Sequence, residues 1–380
     1  MSGVDIARVR LRNQQIAQQD FRTPAEVVSH LGAIQAQDYA GGKWAIGLRL
    51  PNATEADIEG AIAERAIVRT WPMRGTLHFV PAGDVRWMLA LMASRVVTGN
   101  AGRYRQLELD ERVFDAARDV LVKALSGGKE LTRQAIYRLL AEAGIRLEGG
   151  GPLDTGQIRG LHILAYHAQT GLICYSRHQG KQPAFALLDE WVQQTRSLER
   201  DEALAELARR YFTSHGPATA QDFAWWSGLT LRDIRVGIAA AGAEIDGIET
   251  DGIEYFAGPA AGDQPLDPPA VHLLPPFDEY TVAYRDRNAV VAAEHKELAS
   301  SGGVFRPIIV VDGQVVGTWK AAVKKGALEV IPRPFAGEGS IQNADFHAAA
   351  ERYAHFRGVP LAANGSLGGP ADARRVDAAR

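Results

Sequence analysis

The chain has 380 residues, 46% of them hydrophobic and 23% charged, with a formal net charge of −3, the balance of a soluble globular protein large enough for about two to four domains. Its one cysteine, Cys174, excludes a disulfide framework and a cysteine-rich zinc site. Apolar runs such as 289–293 are far shorter than the ~20 residues of a membrane span, and the opening Met-Ser-Gly-Val-Asp-Ile-Ala-Arg has no signal-peptide core, so a cytoplasmic protein with no membrane partner is expected.

Taken in chain order, residues 24–35 read as a helix, with Val27, Val28, Leu31 and Ile34 at helical spacing. A second helix is predicted at 55–63. Residues 67–70 and 76–80 then read as strands around a turn at Arg74-Gly75. The next stretch has helices at 112–125, 132–143 and 156–169, followed by strands at 173–176 and 184–188 about a polar turn at 177–182. A third has helices at 201–213, 220–226 and 231–241. Its hairpin-like stretch 244–256 carries two Asp-Gly turn signals, Asp246-Gly247 and Asp251-Gly252. Helix starts are marked by Thr54 with Asp57, Asp154 with Gln157, Thr219 with Asp222 and Thr230 with Asp233, each pair spaced as a capping box. Beyond these, 305–311 and 314–319 flank Asp312-Gly313 as a hairpin, 328–334 adds a strand, and a helix is expected at 344–356.

Helices followed by a hairpin, repeated, is the winged-helix pattern. The expected fold is α+β: three tandem winged-helix units at 1–110, 111–196 and 197–260, a β-rich C-terminal subdomain at 261–360, and a disordered tail at 361–380. The competing reading is a generic α+β chain in which helices and hairpins alternate by chance.

Several chemistries lose support. There is no P-loop, no glycine-rich dinucleotide fingerprint, no His-Glu-x-x-His and no Gly-x-Ser-x-Gly. His162 and His167 are five apart on a helix and fall on different faces, which argues against a metal site. No metal or cofactor is expected. The net charge is neutral on nucleic acid, because a DNA binder needs a local basic face rather than a high global charge.

Three blocks carry a resemblance. They are Leu31-Gly-Ala-Ile-Gln-Ala-Gln-Asp38 with Gly47-Leu-Arg49 and Arg69-Thr-Trp-Pro-Met-Arg-Gly-Thr-Leu-His78; Leu274-Pro-Pro-Phe-Asp-Glu-Tyr280 with Tyr284-Arg-Asp-Arg287; and 313–320, ending in Gly317-Thr-Trp-Lys320. Across roughly residues 10–335 the chain resembles the AlkZ/YcaQ-type winged-helix DNA glycosylases. The resemblance implies three winged helices around a concave, C-shaped DNA-binding surface. It also implies a monofunctional glycosylase that releases bulky N7-alkylated purines from double-stranded DNA, in some members unhooking interstrand crosslinks. The family's catalytic motif is Gln, one intervening residue, then Gln or Asp. Gln35 and Gln37 match the Gln/Gln form of the AlkZ-like branch, with Ala36 where a larger apolar residue is usual.

The residues impose a condition on that role. Positions i and i+2 of a helix point about 200° apart, so Gln35 and Gln37 can act together only if the helix ends near Ile34; the glycines of Asp38-Tyr-Ala-Gly-Gly42 favour an ending there. Amides are poor acids and bases, but they orient water and face positive charge, which suits a leaving base already made cationic by alkylation. Arg69, Arg74 and His78 flank the first hairpin and are expected either to contact DNA phosphate or to sit in a buried strand pair. Arg285 and Arg287 are read as DNA contacts or as partners in internal ion pairs beside Asp286. Asp278 and Glu279 read as structural anchors, and Trp71, Trp225, Trp226 and Trp319 as core. A monomeric glycosylase is weighed against a noncatalytic winged-helix DNA-binding regulator, which would dimerise on symmetric, sequence-specific sites.

Overall fold

Local signals set most helix starts. In the computed structural model, which describes residues 5–148, 158–259, 271–336 and 341–362, Thr54, Thr219 and Thr230 each accept from the backbone N–H three residues on. Asp57, Asp222 and Asp233 reach back to the threonine N–H. Thr23 and Glu26 form a further such box that spacing did not single out. Each cap contributes about 1 kcal/mol. The pair Asp154 and Gln157 lies outside the described residues. The helices Glu55–Ala63, Glu111–Leu125, Arg133–Glu142, Arg200–His215, Ala220–Ser227, Leu231–Ala241 and Asn343–Arg357 stand close to their expected places. The helix expected over 24–35 is shorter: it is Pro24–Leu31, because Gly32 takes φ +77 and turns the chain out of the helix.

Six strands form one antiparallel sheet: β1 (Ile34–Gln35), β2 (Ile67–Met73), β3 (Thr76–Pro81), β4 (Leu131–Thr132), β5 (Ile173–Tyr175) and β6 (Ala184–Leu187), in spatial order β1-β3-β2-β5-β6-β4. The first and second hairpins are thus joined, β2 to β5, through the partner pair Arg69 and Tyr175. β7 (Asp246–Thr250) and β8 (Ile253–Ala257) make a separate hairpin. Its turn falls at Asp251-Gly252, where φ is +54 and +73, as a type I′ turn requires. Asp246-Gly247 is not a turn; it lies inside β7, held extended against Ala257 and Phe256.

β9 (Val271–Leu274) is followed by a short ladder of β10 (Ser300–Ser301) and β11 (Val304–Phe305). Then come β12 (Ile308–Val311), β13 (Gln314–Lys324) and β14 (Ala327–Pro334), which with β9 make a four-stranded sheet in the order β14-β13-β12-β9. The strand expected from Phe305 begins only at Ile308, since Pro307 has no N–H to give a ladder.

The first and last parts of the chain share one interior. Val28, Leu31, Trp44 and Phe79 pack with Leu273, Ile309, Trp319 and Phe356, and the indoles of Trp44 and Trp319 donate to the carbonyls of Leu273 and Leu274 at 2.7 and 2.8 Å. A second core packs the first hairpin against the helices of 200–241. Trp71, Trp226 and Trp319 are buried as expected, whereas Trp225 is 46% exposed, because adjacent helical residues diverge by about 100° and Trp226 takes the inward position.

One ion pair locks the shared interior. Arg49 donates through both terminal nitrogens to Asp278, at 2.9 and 2.8 Å, and through Nε to the Gln14 carbonyl at 2.8 Å; both charged side chains are fully buried. Removing one partner of such a pair strands a buried charge. Asp278→Ala is expected to lower the unfolding free energy by about 3–5 kcal/mol in a urea titration; an unchanged midpoint would show that this pair does not hold the two halves together.

Candidate active site

Once Gly32 ends the helix, the chain runs extended along β3. Ile34 pairs with Phe79 and Gln35 with His78, and the Ala36 N–H donates to the Leu77 carbonyl at 2.7 Å. The helix thus ends before Gln35, so the two glutamines do not lie on one helix; Gln35 stands on β1, and Gln37 lies past its end, at a bend. Ala36 is fully buried, and a Cβ added at Gly42 would lie 3.0 Å from the Ala36 Cβ and 3.2 Å from the Phe79 ring. The small residue at 36 thus goes with the glycine facing it.

Both amide carbonyls are held. Arg74 Nη2 donates to Gln35 Oε1 at 3.1 Å, and the Leu77 N–H donates to Gln37 Oε1 at 3.2 Å. Because both partners are donors, they settle which end of each amide is the oxygen. Gln35 is buried and Gln37 exposed. Each oxygen keeps a second lone pair for another partner.

The groups expected to meet DNA divide. Arg69 is buried: its Nε and Nη2 donate to the Ala36 carbonyl at 3.1 and 2.8 Å, and its guanidinium lies 5.0 Å from the Tyr39 ring and 4.7 Å from the Tyr175 ring. It clamps the backbone between the two glutamines. His78 is fully buried, with Nδ1 at 3.0 Å from the Thr76 carbonyl and Nε2 at 3.2 Å from Arg74 Nη2. Burial, and then the Arg74 charge, push its pKa down to about 3. The ring is neutral, donating from Nδ1 and accepting at Nε2. Arg74 is half-buried in the β2–β3 turn. Arg285 is exposed, and its backbone N–H donates to Asp222 at 2.9 Å. Arg287 donates from Nε to the Thr281 carbonyl at 2.8 Å and lies 4.7 Å from the Phe305 ring. Arg285, Arg287 and Lys296 line a cleft of about 460 Å³ that includes neither glutamine.

Beneath Gln35 lies Glu279, a residue whose sequence context marks it only as a structural anchor. Glu279 is fully buried; Oε1 accepts the Gln35 N–H at 2.8 Å and Oε2 accepts the Trp226 indole N–H at 2.9 Å. His215 Nε2 stands 3.6 Å from Oε2, a Coulombic rather than a hydrogen-bonding distance. Burial alone would raise the Glu279 pKa, but His215, His78 and Arg74 together outweigh it and hold the carboxyl below its ordinary range, so it is ionised. Residues 35 and 279 lie 244 positions apart, and no periodicity could have paired them. Among the described residues no group of three or more His, Cys, Asp or Glu could hold a metal ion.

The buried neutral His78 has a consequence for acid stability. Its folded pKa, about 3, lies below the ordinary 6.5. Between these values the unfolded chain binds a proton that the folded chain refuses, so stability falls as pH drops from 6.5 toward 3. The contribution is up to about 1.4 kcal/mol per pH unit from this residue. In urea titrations at a series of pH values, His78→Gln is expected to flatten that slope; the wild-type slope retained in the variant would contradict the assignment.

Comparison with known proteins follows the same lines. The family model described as DNA glycosylase AlkZ-like matches residues 28–356. A Streptomyces sahachiroi protein named as an interstrand DNA cross-link repair glycosylase is 25% identical over 342 residues, covering 86% of this chain and 88% of that one. The solved structure of the Streptomyces sahachiroi DNA glycosylase AlkZ superposes with a TM-score of 0.77 at 23% identity, over 94% of this chain and 97% of that one. The Gln-Ala-Gln segment thus lies in a chain that belongs to the AlkZ-like DNA glycosylase family.

Proposed function

We propose that the chain is a monofunctional DNA glycosylase that hydrolyses the N-glycosidic bond of bulky N7-alkylated purines in double-stranded DNA, crosslinked purines included, with Gln35 and Gln37 at the reacting sugar. The observation that carries this is that the helix ends at Leu31, which leaves the Gln-Ala-Gln segment outside it with both amide carbonyls already oriented. In the reaction the bond from the sugar C1′ to the base nitrogen breaks and its electron pair leaves with the base. N7-alkylation has made that base cationic, so it departs neutral without being protonated. A water oxygen bonds to C1′ and its proton passes to solvent. The amides hold the water and face the oxocarbenium-like sugar as positive charge develops.

The surroundings support the selectivity this implies. The two oxygens of Glu279 are taken up by the Gln35 backbone and the Trp226 indole, and His78 is buried and neutral. Neither is placed to hand a proton to a departing normal base. In this reading the helix-and-hairpin stretches at 1–110, 111–196 and 197–260 are winged-helix units arranged as a C-shaped DNA-binding surface, with 261–360 as the β-rich subdomain; of the tail expected at 361–380, Leu361 and Ala362 pair with Leu328 and the rest lies outside the described residues. The protein works as a cytoplasmic monomer. Arg285, exposed, and Arg287 meet the DNA backbone, while Arg69, Arg74 and His78 shape the site from within.

The test is incubation with DNA carrying an N7-alkylguanine or an N7-linked crosslink, followed by alkaline cleavage of abasic products. Wild type is expected to release free base, and Gln35→Ala or Gln37→Ala to lose about 10²-fold in rate, the scale of removing one oriented dipole. No release from either substrate would overturn the reading, and lesion binding without release would leave a noncatalytic DNA-binding protein.

A further inference from the structure

We propose that Arg74 is a positioning residue for hydrolysis: it fixes which end of the Gln35 amide serves as oxygen, and His78 holds it in place to do so. The proposal rests on the reading of Gln35 as catalytic.

A glutamine amide has ends of opposite polarity, and rotation about its last torsion is soft. An amide with its N–H₂ toward a sugar gaining positive charge would oppose the reaction. At Gln37 the main chain settles the matter, since the donor is the Leu77 N–H. At Gln35 the choice falls to a side chain, Arg74 Nη2 at 3.1 Å. Arginine suits this role because it only donates and keeps its proton at any working pH.

Three features aim that guanidinium. Arg74 occupies a left-handed backbone position, φ +54, followed by Gly75 at φ +72, so the turn joining β2 to β3 carries the side chain toward Gln35. His78 uses Nδ1 on the Thr76 carbonyl, which leaves Nε2 to accept from the same Arg74 nitrogen at 3.2 Å. The helix Ala220–Ser227 ends at Gly228, where an added Cβ would come within 3.5 Å of the Arg74 Cγ, so that helix end packs along the arginine stem. Glu279, directly under Gln35, supplies the balancing negative charge from within. With Nη2 committed to Gln35 and His78, Arg74 serves the site rather than phosphate.

A double-mutant cycle under single-turnover conditions, with enzyme saturating over a duplex carrying an N7-methylguanine, tests this. Arg74→Ala is expected to slow base release by about tenfold to hundredfold, the scale of a misplaced catalytic group, without weakening DNA binding. The Arg74→Ala/Gln35→Ala double variant is expected to be no slower than Gln35→Ala alone, because Arg74 acts only through Gln35. Guanidinium chloride, compared with equal sodium chloride, should restore rate to Arg74→Ala but not to Gln35→Ala. Arg74→Lys, run through the same cycle, covers the case in which the alanine variant does not fold; with one cationic donor group it should retain more rate than the alanine. The proposal is overturned if the two losses multiply, or if Arg74→Ala weakens DNA binding with the single-turnover rate intact. If Gln35→Ala itself releases base at the wild-type rate, the reading of Gln35 fails instead, and the two failures are told apart.

Discussion

The carboxylate of Glu279 is buried among segments that are remote in sequence, and it stays ionised there. An isolated buried charge would cost several kcal/mol. This one is matched by the Gln35 N–H, by the Trp226 indole and by the positive potential of Arg74, with the His215 ring beside it. Each of these groups belongs to a different part of the fold: the strand β1, the helix Ala220–Ser227, the β2–β3 turn and the end of the helix Arg200–His215. The neighbouring Asp278 does the same for Arg49 on the other side of the backbone. Two consecutive acidic residues, both solvent-excluded, thus tie the N-terminal segment to the third helical stretch and to the C-terminal sheet.

How much of this the sequence disclosed follows distance along the chain. Capping pairs and type I′ turns depend on residues within four positions of each other, and Thr54 with Asp57, Asp251-Gly252 and Asp312-Gly313 all stand where the residues put them. The break before Gln35 was legible through its glycines, although the residue that makes it is Gly32, upstream of the glycines at 41 and 42. Motif reading found Gln35 and Gln37. It did not find what holds them, since Arg69 to Ala36, Arg74 to Gln35 and Glu279 to Gln35 span 33, 39 and 244 residues. The inward turn of Arg69 and His78 was left open between two readings: a polar residue within a strand looks the same in sequence whether it faces water or its own backbone. The union of two hairpins in one sheet hangs on the Arg69–Tyr175 pairing, which no local pattern announces.

The electrostatic character of the site follows from the same contacts. The titratable groups beneath the segment, Glu279, His78 and His215, are all buried, while the Gln37 amide reaches the outside. Burial depresses the pKa of both histidines, so neither carries charge near neutral pH. A centre of this kind offers fixed dipoles and little proton traffic, in keeping with the selectivity we assign to it for bases whose departure needs no acid.

Gln37 also does something for the sheet itself. β1 is an outer strand of its six-stranded sheet and only two residues long. Past its end, the Leu77 N–H of β3 would face outward with no strand to receive it; the Gln37 side chain takes that bond instead of backbone. The ladder is thereby closed off by an amide, and an open edge that could recruit a strand from another molecule is blunted. The side chain assigned to the chemistry is therefore also the sheet's punctuation mark.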